Sequence, residues 1–255
     1  MSAASRNTLT STSDVPDGAP ASLSPAPFGP PGLLSSLGRL VRGLSAQFWG
    51  LPVALIACVQ TAKTDWLPPL ALTAPMVALL LLFYALTQMS HFQKQERIWR
   101  LALDRAKIFS LINLGLSPFL FWWNRMPGNE FFTAMMEVMA LTSLFYIFSV
   151  NLLLRRLAAM LPDEPLRIET QVFTKMNNYM LFAAGLLFAT FFILRRFEIF
   201  PRLISYALTL LNHGGWWVIL FMILLPIAMT MALIWKIKET ILRSIFNAEA
   251  PGRIP

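Results

Sequence analysis

Long apolar stretches constrain this chain more than any other feature of its sequence. A helix needs roughly 20 apolar residues to cross about 30 Å of hydrocarbon. Six segments approach this pattern: 43–62, 67–87, 108–123, 131–154, 178–194 and 216–235. Only 13% of the 255 residues are charged, against about 25% in soluble domains. We therefore predict an all-α integral membrane protein, a bundle of about six transmembrane helices with interfacial amphipathic helices.

Positive charge predicts that the N- and C-termini are both cytoplasmic. Six spans place 16 of the 21 Lys and Arg residues inside and five outside. Without the weak first span, which Gly50-Leu51-Pro52 interrupts, the split becomes 13 and eight. Lys and Arg accumulate on the cytoplasmic side of membrane proteins, so the charges favour six spans over five.

The chain divides into three regions by composition. Residues 1–32 form a Pro- and Ser-rich tail that we expect to be disordered, residues 33–247 form the helical transmembrane domain, and residues 248–255 form a short C-terminal tail. The tail lacks the apolar core of a secretory signal peptide, and Cys58 is the single cysteine. We expect a bacterial inner (cytoplasmic) membrane protein, with no loop long enough to hold a soluble domain of its own.

Three amphipathic segments are predicted to lie at the membrane surface. Residues 33–47 are expected to run on into the first span, residues 88–107 form a basic helix on the inner side, and residues 199–211 lie on the outer side. The basic helix places Phe92, Trp99, Ala102, Leu103 and Ala106 on one face. Its candidate lipid- or partner-docking residues are Lys94, Arg97, Arg100, Arg105 and Lys107.

Two interpretations of this basic helix stay open. It anchors the chain to anionic lipid at the inner face, or it docks a cytoplasmic protein partner. We expect no nucleic-acid partner, because no aromatic and basic recognition module accompanies the charge.

Glu137 is the one formally charged residue well inside a predicted span. Such residues usually face protein or water, because a charge in lipid is costly. With Thr133, Ser117 and Arg195 it forms a candidate intramembrane polar site. This site is either a helix–helix interface or a polar pocket open to the outer side, with Glu137 binding a proton or cation.

Other small and polar residues indicate helix packing. Ser110, Asn113 and Ser117 share one face of the third span, and Gly185 and Ala189 have the spacing of small residues at helix interfaces.

The sequence contains no recognisable enzyme motif. His91 and His213 are predicted on opposite sides of the membrane and cannot share a site. We therefore expect no catalysis, no metal site and no cofactor.

In topology the chain resembles the membrane subunits of type II ABC exporters. The resemblance rests on the interfacial segment 33–47 before six spans, the cytoplasmic helix 88–107 and the outer segment 199–211. It implies a transport subunit that works with a cytoplasmic ATPase. From the residues themselves, the first hypothesis is a scaffold or assembly partner in a membrane complex, and the transport subunit is the alternative.

Overall fold

The computed structural model describes residues 31–63, 72–92, 96–160, 164–197 and 216–248. These residues form six α-helices and no strand. The helices are α1 (Pro31–Lys63), α2 (Thr73–Met89), α3 (Arg97–Arg125), α4 (Glu130–Met160), α5 (Glu164–Phe197) and α6 (Trp216–Ala248). The all-helical fold predicted from the apolar stretches is confirmed.

Segments of four helices are long and apolar enough to cross a membrane. They are Ser35–Lys63, Arg97–Arg125, Glu130–Met160 and Phe221–Arg243, and α2 is a shorter apolar helix of 17 residues. A helix rises about 1.5 Å per residue, so 29 residues exceed the thickness of the hydrocarbon. The chain is a multi-pass membrane protein.

The weak first span is part of one uninterrupted helix. α1 continues from Pro31 through Pro52 to Lys63, so residues 33–47 join the span as expected, and Gly50-Leu51-Pro52 does not break it. Proline is tolerated in membrane helices where neighbours satisfy the backbone groups that it frees.

The predicted helix over residues 88–107 is wrong. α2 ends at Met89, where Ser90 N–H donates to the carbonyls of Leu86 and Thr87, and α3 begins at Arg97. From there α3 runs without a break to Arg125, so the third span is longer than residues 108–123. Arg and Lys are good helix formers. The charges that lowered hydropathy therefore did not end the helix.

The largest buried side chains lie where the helices reach the predicted inner side. We call this set the inner core. It consists of Leu40, Leu44, Leu86, Met89, Trp99, Leu103, Leu153, Leu154, Leu157, Ile234, Ile237 and Ile241. Several lie beyond the predicted spans, in stretches that sequence reasoning assigned to surface segments or loops. Five of the six helices contribute to the inner core, each with two or three residues.

Towards the predicted outer side the helices expose their apolar side chains. Trp49, Val53 and Ile56 of α1 and Val77 of α2 are exposed, as are Phe131, Val138 and Leu141 of α4. In a membrane protein lipid covers such a surface. The largest fully buried side chains of the described chain are therefore concentrated at one end of the bundle.

α1 and α2 approach each other closely at Gly43. A Cβ atom at this position would lie 2.7 Å from Met89 Cγ and 2.9 Å from the carbonyl oxygen of Ala85. Small residues allow this approach between membrane helices. Backbone at Ala85 cannot move aside as a flexible side chain does.

Other predicted segments lie outside the described residues. They are the tail up to residue 30, the outer segment 199–211, the break at His213-Gly214-Gly215, and the end of the chain after Ala248.

We predict that Gly43→Ala destabilises the protein by about 1–3 kcal/mol, the usual cost of overpacking. The unfolding of the purified protein in detergent, followed by tryptophan fluorescence, measures this cost. Gly115→Ala on α3 is the matched control, because no described atom beyond its own helix backbone and chain neighbours lies within 4 Å of its added Cβ. A Gly43→Ala protein as stable as Gly115→Ala would contradict the prediction.

Candidate polar site between α4, α5 and α6

Buried hydroxyl and amide groups lie on the inner half of α5. Thr170 and Thr174 are 1% exposed and Asn177 is 2% exposed. They follow one another at steps of four and three, so they share one face of the helix. Together with the half-buried Asn178, we call them the polar stripe. α5 packs against α4 and α6, and the stripe lies where other helices contribute Leu and Ile to the inner core.

At its deep end, the polar stripe is bonded to both neighbouring helices. Asn177 Nδ2 donates to Thr230 Oγ1 of α6 at 3.0 Å and to the carbonyl of Pro226 at 3.3 Å. Thr230 Oγ1 also lies 3.2 Å from Asn151 Oδ1 of α4 and 2.7 Å from the Pro226 carbonyl. The three helices therefore meet in a network of neutral polar groups.

An ion pair lies at the other end of the stripe. Lys236 of α6 is paired with Glu169 of α5, and both side chains are 43% exposed. Eight residues separate Glu169 from Asn177, which is about 12 Å along the helix axis. Solvent therefore reaches one end of the stripe, and the network around Thr230 closes the other.

Four oxygen atoms of the stripe have no hydrogen-bond partner among the described residues. They are Thr170 Oγ1, Thr174 Oγ1, Asn177 Oδ1 and Asn178 Oδ1. Buried polar groups nearly always have a partner, either protein or water. The stripe is therefore the place in the described chain with the greatest unused capacity to bind a polar ligand.

Sequence reasoning missed this site because residues 155–177 were assigned to an inner loop. The signal was present in the sequence, since Thr170, Thr174, Asn177 and Leu181 recur at helical spacing and all four are buried. A hydropathy window does not detect them, because the charged residues between them lower its mean.

The predicted polar site around Glu137 has a different environment. Glu137 is half-buried on α4, in the outer half where the bundle opens. Thr133 Oγ1 donates to the Asn129 carbonyl at 3.1 Å, and Ser117 Oγ donates to the Leu114 carbonyl at 2.8 Å. Both hydroxyls are thus bonded to backbone near their own position. The side chain of Arg195 lies outside the described part, so the role of Glu137 stays a prediction.

Ser110, Asn113 and Ser117 are all buried, as their predicted packing role requires. Asn113 Oδ1 accepts hydrogen bonds from Thr142 at 2.6 Å and from Ser143 at 3.2 Å. These bonds join α3 to α4 inside the bundle.

The basic residues at the start of α3 have their predicted apolar neighbours buried. Trp99, Ala102, Leu103 and Ala106 all enter the core, while Arg97, Arg100 and Arg105 are exposed and Lys107 is half-buried. Lys94 lies outside the described residues. Protein therefore covers the predicted apolar face, and the exposed side carries these arginines together with Ile98 and Leu101.

Within the described ranges, no group of three His, Cys, Asp or Glu side chains comes together in a way that could hold a metal ion. Long apolar helices and buried neutral polar groups define the class as multi-pass membrane protein. Comparison with family models, curated proteins and solved structures finds no match to this chain.

We predict that Tyr146→Phe destabilises the protein by about 1–2 kcal/mol. Gln47 Nε2 of α1 donates to Tyr146 Oη of α4 at 2.7 Å, and both residues are buried. Loss of the hydroxyl leaves a buried amide without its acceptor, which costs more than the net value of the bond. Unfolding in detergent measures the change, with Tyr84→Phe at an exposed position as the control.

The double variant Gln47→Met with Tyr146→Phe sharpens this test. Replacing both partners by apolar groups removes the unpaired amide, so we expect the double variant to recover part of the lost stability. A double variant whose loss of unfolding free energy exceeds the sum of the losses in the two single variants would contradict this interpretation.

Proposed function

We propose that this multi-pass membrane protein is a scaffold, an assembly partner that holds a membrane complex together without catalysing a reaction. Six crossings of a bacterial inner membrane, with both termini cytoplasmic, are part of the proposal. Packing between spans supports it. Gly43 brings α1 against α2, and hydrogen bonds join Gln47 to Tyr146 and Asn113 to Thr142.

A small-residue pair on the outer half of α5 carries the proposal. No described atom beyond its own helix backbone and chain neighbours lies within 4 Å of a Cβ added at Gly185, and Ala189 one turn later is exposed. Small residues four apart are the usual contact of one membrane helix with another. Because no described helix uses this pair, we infer that a transmembrane helix of a partner protein packs on it.

The exposed arginines at the start of α3 suit a second contact. Arg97, Arg100 and Arg105 lie on the predicted inner side, where anionic lipid headgroups attract basic residues. We propose that they bind anionic lipid and orient the bundle. A cytoplasmic protein partner is the alternative occupant of the same face.

A transporter subunit is the second candidate function, and the polar stripe of α5 favours it. Ionisable and polar groups inside membrane proteins often mark the path of a solute. The topological likeness to type II ABC exporter subunits gives this candidate less support than the sequence suggested, because residues 97–107 belong to α3 and are not a separate cytoplasmic helix. An ATPase that copurifies with the chain would favour transport over scaffolding.

We predict that residues 5 and 254 lie in the same compartment and residue 128 in the opposite one. In a Cys58→Ser background, a membrane-impermeant maleimide applied to intact spheroplasts should label Gly128→Cys and leave Ser5→Cys and Ile254→Cys unlabelled until the cells are lysed. The positive charge on the inner segments is the physical reason. Labelling of only one terminus would overturn the even number of crossings.

We predict that Gly185→Leu releases the partner while the protein itself stays folded. A Cβ added at Gly185 meets no described atom within 4 Å beyond its own helix backbone and chain neighbours. We therefore expect the bundle to tolerate the leucine, whereas the added side chain separates the two helices of an interface. Native gel electrophoresis of mild-detergent extracts measures the size of the complex. Gly115→Leu is the matched control, since Gly115 is open but has Leu111 and Phe119 one turn away on either side.

Two results would contradict this proposal. One is a complex of unchanged size in Gly185→Leu. The other is a wild-type protein that migrates as a single chain in extracts of its native membrane.

A further inference from the structure

The threonine hydroxyls of the polar stripe differ from those of most other serines and threonines in the described helices, although Ser110 Oγ of α3 is likewise buried without a partner. Ser45, Ser149, Thr190 and Thr240 each donate to a backbone carbonyl four residues earlier. This bond is how a hydroxyl inside a helix satisfies itself without a partner. Thr170 and Thr174, both 1% exposed, make no such bond. Both hydroxyls are therefore buried without a hydrogen-bond partner among the described residues.

The orientation of the Asn177 amide is fixed by its neighbours. A carbonyl oxygen only accepts hydrogen bonds, so the group that faces the Pro226 carbonyl at 3.3 Å must be the Nδ2 amide. The carbonyl oxygen of the same side chain then faces away from α6. It has no donor among the described residues.

The hydroxyl at the centre of this network lies within reach of two acceptors. Thr230 has one hydroxyl proton and two acceptors, the Pro226 carbonyl at 2.7 Å and Asn151 Oδ1 at 3.2 Å. Asn151 Nδ2 is already used by the Ile147 carbonyl at 3.0 Å. Asn177 Oδ1 and Asn178 Oδ1 can only accept hydrogen bonds, and neither has a donor among the described residues. A bound positive charge would satisfy both oxygens.

The spacing of the stripe allows one small ligand to reach several of these oxygens. Asn177 and Asn178 follow Thr174 by three and four residues, and side chains so spaced are neighbours, about 5–6 Å apart at Cβ. Thr170 lies one turn closer to the half-exposed Glu169. A ligand that enters from the inner side would pass Thr170 and stop beside Thr174 and Asn177.

We propose that Thr174, Asn177 and Asn178 form a binding site for an alkali-metal cation, reached from the predicted inner side past Glu169. Neutral hydroxyl and amide oxygens suit a hard monovalent ion. Mg²⁺ and Ca²⁺ favour sites with carboxylates, and zinc and copper favour imidazole or thiolate. Glu169 supplies the nearest negative charge, and Lys236 partly neutralises it.

This site is independent of the proposed scaffold role, because it uses the inner half of α5 and the partner contact uses the outer half. A cation bound there would join α4, α5 and α6 more firmly than the neutral network does. A ligand that binds only the folded state stabilises that state. At ligand concentrations well above the dissociation constant, the gain in stability grows with the logarithm of the ligand concentration.

The test is the melting temperature of the full-length protein, purified in detergent, in sodium, potassium and N-methyl-D-glucamine chloride at equal ionic strength. We expect a saturable rise of a few degrees in sodium or potassium relative to the bulky organic cation. Thr174→Val should abolish this rise. Thr190→Val on the same helix should keep it, because Thr190 is exposed and bonded to its own backbone.

A second variant distinguishes ion binding from a purely structural effect. Lys236→Met removes the partner of Glu169 in the ion pair between α5 and α6. The negative charge of Glu169 is then no longer neutralised, so a lower cation concentration should give half of the rise in melting temperature. A structural role alone would not move that concentration. If Thr174→Val does not fold, Thr170→Val and the wild type carry the test.

Equal melting temperatures of the wild-type protein in all three salts would overturn the proposal and leave water as the ligand of the stripe. A rise that persists in Thr174→Val would overturn it as well, since the ion would then bind elsewhere.

Discussion

Hydrocarbon offers no hydrogen-bond partner to the backbone, and the rest of this structure follows from that constraint. Each peptide group in lipid must be satisfied within its own helix, so the chain crosses as long helices. Those helices are 29 to 34 residues long in α1 and α3 to α6. These helices are longer than the hydrocarbon is thick. Their ends therefore pack in contact with water, whereas their middles pack in contact with lipid.

The hydrophobic effect explains why the inner core is where it is. Apolar side chains gain nothing by leaving lipid for protein, but they gain much by leaving water. Trp99, Leu103, Leu157 and Ile241 lie near the ends of the predicted spans, where water is the alternative, and all four are buried. Beside these apolar residues, α1 contacts its neighbours through the close approach at Gly43 and through polar bonds such as that between Gln47 and Tyr146.

α5 differs from the other helices in what its inner half buries and in what its outer half leaves exposed. Its inner half buries Thr170, Thr174 and Asn177 where the other helices bury large apolar residues, and its outer half leaves Gly185 open. The two proposals therefore rest on separate parts of one helix. A partner packed on its outer half and an ion bound on its inner half would each tie α5 to something other than the apolar core.

Part of this arrangement could be predicted from the sequence. Periodicity gave the buried face of Trp99, Ala102 and Leu103, and the burial of Ser110 and Asn113. The continuity of α3 was missed because hydropathy measures the solvent a helix prefers, not whether the helix continues. The partners of Asn177 and Thr230 were out of reach, because they are 53 positions apart in the sequence. The sequence pointed to Glu137 because it is charged. The buried oxygen atoms without a partner in α5 belong instead to neutral side chains, including Asn177 and Asn178.

The largest fully buried side chains of the described helices lie at the predicted inner end of the bundle. The same small rotation about the inner core displaces a residue there very little and displaces the far ends of the helices by several times as much. Lateral pressure from the surrounding bilayer acts on those far ends with the longest lever.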